Sequence, residues 1–166
     1  VDYDLEMRWR FDGDLSGMAC VFIATHGKAG RRFFLYLPLT QLHFPTLPSR
    51  DFEGRTGAGD FADSMVEMDH RVGQVLDAIK AEGLSSNTLV IFASDNGPEF
   101  RRPWRGTAGP WTGTYHTAME GGLRAPLIFH WPGRIAPSVT NEMAHVTDLF
   151  TTLAKIAGAR VPDDRA

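Results

Sequence analysis

Residues 88–98, Thr-Leu-Val-Ile-Phe-Ala-Ser-Asp-Asn-Gly-Pro, place the strongest constraint on how this chain can fold. An apolar, β-branched run without polar alternation reads as a strand covered on both faces, the kind found in sheets flanked by helices. It then ends abruptly in a carboxylate, a carboxamide and two chain breakers. In open α/β sheets, ligands bind in the crevice outside the carboxyl ends of the strands. Asp95 and Asn96 both offer hard oxygen donors suited to Ca²⁺ or Mg²⁺. Asp-Asn-Gly-Pro is equally good turn chemistry, so these residues alone leave both readings open.

A second run, Phe33-Phe-Leu-Tyr-Leu37, has the aromatic and aliphatic content of a buried strand. It exits into Thr40, Gln41 and His43, followed by Pro45 and Pro48. Between the two runs, Phe61, Met65, Met68, Val72, Val75 or Leu76, and Ile79 form the stripe of an amphipathic helix over residues 60–82, stopped by Gly83. The stripe is assigned to core contact with the sheet. Asp63, Glu67, Asp69, Arg71, Asp77 and Lys80 are assigned mostly to a solvated face. Strand, helix and strand make one βαβ crossover with the two strands parallel. Parallel strands share a carboxyl edge, so His43 and Asp95-Asn96 are expected on the same side of the sheet.

The remaining segments frame that edge. Residues 1–14 lack clear periodicity and read as irregular, Leu15–Ala24 reads as a helix, and residues 26–32 as a basic, glycine-rich connector. Residues 98–113 form a long loop containing Arg101, Arg102, Arg105, Trp104 and Trp111. Guanidinium forks match tetrahedral oxyanions, though arginines also simply solvate a loop. Leu127, Phe129 and Trp131 alternate as in a third strand, within which His130 is read as structural. Thr147 and Asp148 cap a helix carrying Leu149, Leu153 and Ile156, ended by Gly158.

At 166 residues and 43% hydrophobic content, the chain is the size of one globular domain. A net charge of −3 gives no electrostatic reason to bind nucleic acid or an acidic membrane. No apolar run approaches the roughly 20 residues of a membrane span, and the N-terminus is unlike a signal peptide; compartment stays open. The single cysteine, Cys20, excludes an internal disulfide framework, and its apolar setting suggests a buried structural thiol.

Several motifs, in order, resemble the sulfatase family, arylsulfatase type. They are Phe33-Phe-Leu-Tyr-Leu with His43-x-Pro45, Glu67-Met-Asp-x-x-Val-Gly73, Asn87-Thr-Leu-Val-Ile-Phe-x-Ser-Asp-Asn-Gly-Pro98, Glu120-Gly-Gly-x-Arg124-x-Pro126 and Trp131-Pro-Gly-Arg-Ile. The resemblance is strongest over residues 31–160. It implies an alkaline-phosphatase-like α/β fold, a mainly parallel sheet flanked by helices, and hydrolysis of sulfate esters at a site with one divalent cation, usually Ca²⁺ with Mg²⁺ as the alternative. It assigns Asp95 and Asn96 to the metal, and His43 to contact with the sulfate and assistance of the leaving group.

The departures from the family pattern are as informative. The family's nucleophile is formylglycine, made from a Cys/Ser-x-Pro/Ala-x-Arg motif that this sequence lacks. The upstream aspartate ligands have no counterpart either. Where most relatives carry a lysine five residues before the Glu of Glu-Gly-Gly, this chain has Tyr115; Arg105 or His116 is the candidate to supply that charge to substrate. Residues 1–166 are therefore expected to be the middle-to-late portion of a single catalytic domain, incomplete and inactive alone. Unpaired sheet edges are expected to drive self-association. The partner class is a sulfate-ester small molecule or glycan. Two alternatives are a phosphoesterase or phosphonate hydrolase of the same superfamily, and a non-catalytic remnant binding anionic glycans or a partner through the arginine and tryptophan loop.

Overall fold

The computed structural model describes residues 4–102 and 106–161. Two compact units divide the chain, one running to Ile135 and the other starting at Ala136. The first holds α1 (Leu5–Lys28), α2 (Asp60–Ala81), a 3-10 turn (Ser85–Asn87), β1 (Val90–Ala93), α3 (Glu120–Leu123) and β2 (Leu127–His130). The second holds α4 (Val146–Ile156). Among the described residues, no helix is long and apolar enough to cross a membrane.

Helix α1 begins ten residues before the helix expected at Leu15–Ala24, so the reading of residues 1–14 as irregular is corrected from Leu5 onward. Asp4 caps it, its Oδ1 accepting the Met7 N–H at 2.8 Å. The buried residues of α1 are Arg8, Asp12, Ser16, Ala19 and Ile23. Their spacing is helical, but the first three are polar, so the hydrophobic pattern starts late. Helix α1 lies along α2 in the same direction: Gly13 faces Arg71, the Cys20 thiol donates to Gln74 C=O at 3.6 Å, and Gly27 faces Glu82. Cys20 is half-buried rather than buried, and desolvation raises its thiol pKa above the ordinary value.

Helix α2 has the expected limits. Beyond its cap, Gly83 takes φ +69°, Gly83 N–H reaches Lys80 C=O at 3.0 Å and Leu84 N–H reaches Ile79 C=O at 3.0 Å, a Schellman ending. Its faces differ from expectation. Met65 is exposed, whereas Asp63, Ser64 and Glu67 are buried, as is Ile79. Asp63 accepts Gly54 N–H at 2.8 Å, Thr56 N–H at 2.8 Å and Thr56 O–H at 2.6 Å. Glu67 accepts Ser49 N–H at 2.7 Å and pairs with Arg71 at 2.9 Å. These carboxylates tie the 49–56 loop to the helix. The hydrogen bonds offset the desolvation that would otherwise drive charged groups to solvent.

The βαβ crossover does not form. Residues 33–37 alternate half-buried and exposed, with Phe34 and Tyr36 outward, but pair with no described segment. The described sheet is instead β1 against β2, antiparallel, with Val90 opposite His130 and Ala93 opposite Leu127. A strand needs a neighbour to exchange hydrogen bonds with, and 33–37 has the composition of a strand without one here. In the second unit, His145 rather than Thr147 caps α4: its N–H meets Asp148 Oδ2 at 2.7 Å and its Nδ1 accepts the Thr147 N–H at 3.3 Å. Gly158, at φ +71°, ends that helix as expected.

Candidate active site

Antiparallel pairing of β1 and β2 puts the end of β1 beside the start of β2, and the segments flanking that junction, residues 94–97 and 122–126, stay in contact. Ser94 N–H continues the ladder to Pro126 C=O at 3.1 Å. One step on, Gly97 N–H donates to Gly122 C=O at 2.8 Å. The contact leaves no room for a side chain: a Cβ on Gly97 would lie 1.8 Å from the Gly121 carbonyl oxygen. Glycine at 97 and the Gly121-Gly122 pair therefore let two backbone segments touch, and this fixes the exit of Asp95 and Asn96 from the strand.

Asp95 is exposed, and among the described residues no hydrogen bond engages its carboxylate. Asn96 is half-buried; its Nδ2 donates to Gly97 C=O at 2.9 Å, and among the described residues its Oδ1 is left to face a cation. A carboxylate and a carboxamide oxygen side by side suit a hard dication in kind, but not in number, since Ca²⁺ takes about six to eight oxygens. Among the described residues no cluster of three or more His, Cys, Asp or Glu side chains could hold an ion. Asp95 and Asn96 fit as part of a coordination shell.

His43 stands in the 40–45 segment, and its ring is exposed. Its Nδ1 lies 2.6 Å from Phe44 C=O. A carbonyl can only accept, so Nδ1 carries the proton and Nε2 is the nitrogen free to meet a ligand. The peptide following His43 is also held: Phe44 N–H donates to Glu99 Oε2 at 3.2 Å. Arg101 stacks over the Phe44 ring at 4.3 Å and pairs with Glu99 at 3.9 Å. These side-chain contacts join the His43 segment to the loop that follows Asp95-Asn96, whereas the parallel crossover from which a shared edge was expected does not form. Neither Glu99 nor its role stood out in the sequence, where it reads as an ordinary loop acid.

The other candidate groups divide. Tyr115 N–H donates to Pro98 C=O at 3.0 Å, which brings Tyr115 and His116 to the same loop. Their rings stack at 3.8 Å, and His116 adopts φ +68°, a left-handed backbone rare outside glycine. Arg105 and Trp104 lie outside the described residues. Trp111 is capped by Arg124, whose guanidinium sits 4.2 Å from the ring centroid and also bonds Glu120. That arginine, from the Glu-Gly-Gly-x-Arg motif, supports the loop. Arg102 is exposed.

Comparison with known proteins places this arrangement. The sequence profile described as Sulfatase matches residues 16–159. The chain is 46% identical to human arylsulfatase A over 137 residues, covering 82% of the chain and 27% of that relative. It is 38% identical to mouse N-acetylgalactosamine-6-sulfatase over 147 residues, 87% of the chain and 28% of the relative. Among solved structures, the PsFucS1 sulfatase from Pseudoalteromonas superposes with a TM-score of 0.88 at 33% identity, over 96% of the chain and 33% of that protein. Ps i-CgsB, solved in complex with k-i-k-neocarrahexaose, superposes with a TM-score of 0.74 at 29% identity, over 92% of the chain and 35% of that protein. The chain therefore spans about a quarter to a third of the length of these relatives. It has their alkaline-phosphatase-like α/β fold, in incomplete form.

Proposed function

Because the chain belongs to the sulfatase family, we propose that it forms the middle-to-late part of a sulfuric ester hydrolase and carries one side of its active site. The observation that carries this reading is the Glu99 to Phe44 hydrogen bond at 3.2 Å, which holds the histidine segment against the loop that follows Asp95 and Asn96. In this reading Asp95 and Asn96 contribute two oxygens to a Ca²⁺ site, with Mg²⁺ the alternative occupant. The dication, when bound, neutralises the charge of the ester and polarises it. His43 acts on the departing oxygen. With Nδ1–H spent on Phe44 C=O, the ring acts in its imidazolium form, whose Nε2–H is the proton that the departing alcoholate takes up, leaving the imidazole neutral. His116 and Arg105 are the cationic candidates for the ester's remaining oxygens, at the place where Tyr115 replaces the family's usual lysine.

Names of the relatives support a sulfate ester on a small aryl alcohol or a sugar as the substrate class. The chain contains no Cys/Ser-x-Pro/Ala-x-Arg motif, so the 166-residue chain alone is assigned no turnover. The test compares aryl sulfate and aryl phosphate hydrolysis by the native protein that carries this chain and by the isolated chain. Expected are a preference for sulfate in the native protein, loss on chelation, and a fall of about 10²–10⁴-fold in His43→Ala. Faster phosphate turnover would move the assignment to a phosphoesterase. Cation-dependent product release by the isolated chain, abolished in His43→Ala, would refute the claim of inactivity.

A further inference from the structure

Helix α1 carries two buried charges, Arg8 at 6% exposure and Asp12 at 3%, one turn apart on the same face. Neither belongs to a motif singled out in the sequence, and both converge on the four residues that end in His43. Asp12 Oδ1 accepts Thr40 N–H at 2.8 Å and Thr40 O–H at 2.8 Å, and Oδ2 accepts Gln41 N–H at 2.9 Å. Arg8 Nη1 donates to the same Thr40 hydroxyl, and Nη2 donates to Thr40 C=O at 3.1 Å with a longer reach to His43 C=O at 3.5 Å. Thr40 C=O also closes the turn by accepting His43 N–H at 3.1 Å. The carboxylate thus holds the amides where the turn begins, the guanidinium reaches carbonyls at both of its ends, and the Thr40 hydroxyl bridges the two charges.

Burying a carboxylate and a guanidinium is costly unless every polar atom finds a partner, and breaking such a cluster leaves a charge uncompensated. Here the partners are turn backbone, so satisfying the charges and fixing the turn are one event. The opposite end of the segment is fixed separately, by Glu99 on Phe44 N–H and by His43's own ring on Phe44 C=O. We propose that Arg8 and Asp12 are positioning residues that act through Thr40 to hold the His43 imidazole where it meets the departing oxygen. The proposal rests on His43 acting in sulfate-ester hydrolysis.

Asp12→Asn in the native protein tests it. Whichever way the carboxamide turns, one accepting oxygen is lost and a backbone N–H of Thr40 or Gln41 meets a donor. Misplacement of a reacting group by about 1 Å costs on the order of 10²-fold in rate. The expected result is a kcat lower by about ten- to a hundredfold with KM within about twofold, and no further loss when the same change is made in His43→Ala. Thr40→Val, which keeps the volume and removes only the bridge, should show the same pattern in milder form. Asp63→Asn is the control, because Asp63 is equally buried but holds Gly54 and Thr56 instead. An Asp12→Asn defect of equal size in both backgrounds, or one matched by Asp63→Asn, would mean general destabilisation and overturn the proposal.

Amide exchange gives a readout that does not depend on the sulfatase assignment. In Asp12→Asn, exchange at Thr40, Gln41 and His43 should accelerate about tenfold or more while Gly54 and Thr56 stay unchanged. If the native protein hydrolyses no sulfate ester, the functional reading fails and exchange alone decides whether the clamp holds the turn. Unchanged exchange at Thr40 and Gln41 overturns the clamp itself.

Discussion

Glu99 Oε2 accepts the backbone N–H of Phe44 at 3.2 Å, across a separation of 55 residues in the sequence. Each partner adjoins a candidate catalytic element: Glu99 follows Asp95-Asn96-Gly97-Pro98, and Phe44 follows His43. Glu99→Ala removes the acceptor, and a hydrogen bond to a charged group contributes about 1.5–3 kcal/mol net. Sulfate-ester turnover by the native protein should fall about tenfold in Glu99→Ala and less in Glu99→Gln, which keeps an acceptor oxygen. Steady-state kinetics with the Phe44 amide chemical shift as a local probe checks this. Equal effects of Ala and Gln would assign the role to charge rather than to this bond.

What the sequence disclosed follows from where its signals are apolar. The strand into Asp95, the α2 limits, the stop at Gly83 and a strand at Leu127 all rest on hydrophobic content or turn chemistry, and all appear; the alternation expected of β2 does not, since Leu127 is exposed along with Ile128. The first three turns of α1 carry no hydrophobic period because their buried positions are Arg8, Asp12 and Ser16. Asp63 and Glu67 read as solvated for the same reason: an acid on a helix reads as surface until the loop amides it binds are known. Period cannot report a buried charge whose partners lie in another segment. The reverse error occurred at Phe33–Leu37, where composition marked a strand but pairing is decided by neighbours. The spacing 8, 12, 16, 19, 23 was the available signal, visible only if polar residues are allowed on a buried stripe.

Asp63 gives a prediction with a sign. Hydrogen bonds from the Thr56 hydroxyl, the Thr56 N–H and the Gly54 N–H hold its pKa below the ordinary 3.8, outweighing desolvation. A carboxyl whose pKa is lower when folded binds fewer protons in the native state. Its contribution is complete above the unfolded pKa and is lost as pH falls through the folded one. Stability should therefore decline on acidification below about pH 4, and Asp63→Asn should be less stable at neutral pH with a flatter acid limb. Urea unfolding of the native protein at pH 7 and pH 3 measures both. Parallel acid limbs for the two proteins would sink the assignment.

Gly97→Ala tests the backbone contact beneath the candidate metal pair. Its Cβ would sit 1.8 Å from Gly121 O, and the obstacle is backbone, which cannot rotate away. Overpacking of this kind costs about 1–3 kcal/mol, at the upper end when backbone must move. The melting temperature should drop by several degrees, about 4–8 °C per kcal/mol in a domain of around 100 residues and less in a larger one. Ca²⁺ affinity should weaken in parallel, because Asp95 and Asn96 leave the strand through this contact. Calorimetric Ca²⁺ titration and thermal unfolding report the two effects. An unaltered Ca²⁺ affinity in a destabilised variant would separate Gly97 from the candidate metal pair.

The isolated chain should self-associate. Among the described residues its sheet has two strands, β1 and β2, and a two-stranded ladder is marginal in water without further covering. Residues 33–37 add an extended segment with no described pairing partner, and there Phe34 is 73% and Tyr36 77% exposed. Ile128 on β2, and Met18 and Val21 on α1, are also exposed. Among the described residues, few buried apolar side chains oppose this surface: Ala19, Ile23, Phe52 and Ile79. Strand edges with open N–H and C=O groups beside apolar side chains recruit further chains. Sedimentation velocity at micromolar concentration should find dimers or larger species that shift with concentration, and Phe34→Lys with Tyr36→Lys should reduce them. A monodisperse monomer that unfolds cooperatively would contradict this, and would mean that these few buried side chains and the buried carboxylate clamps suffice to hold the chain.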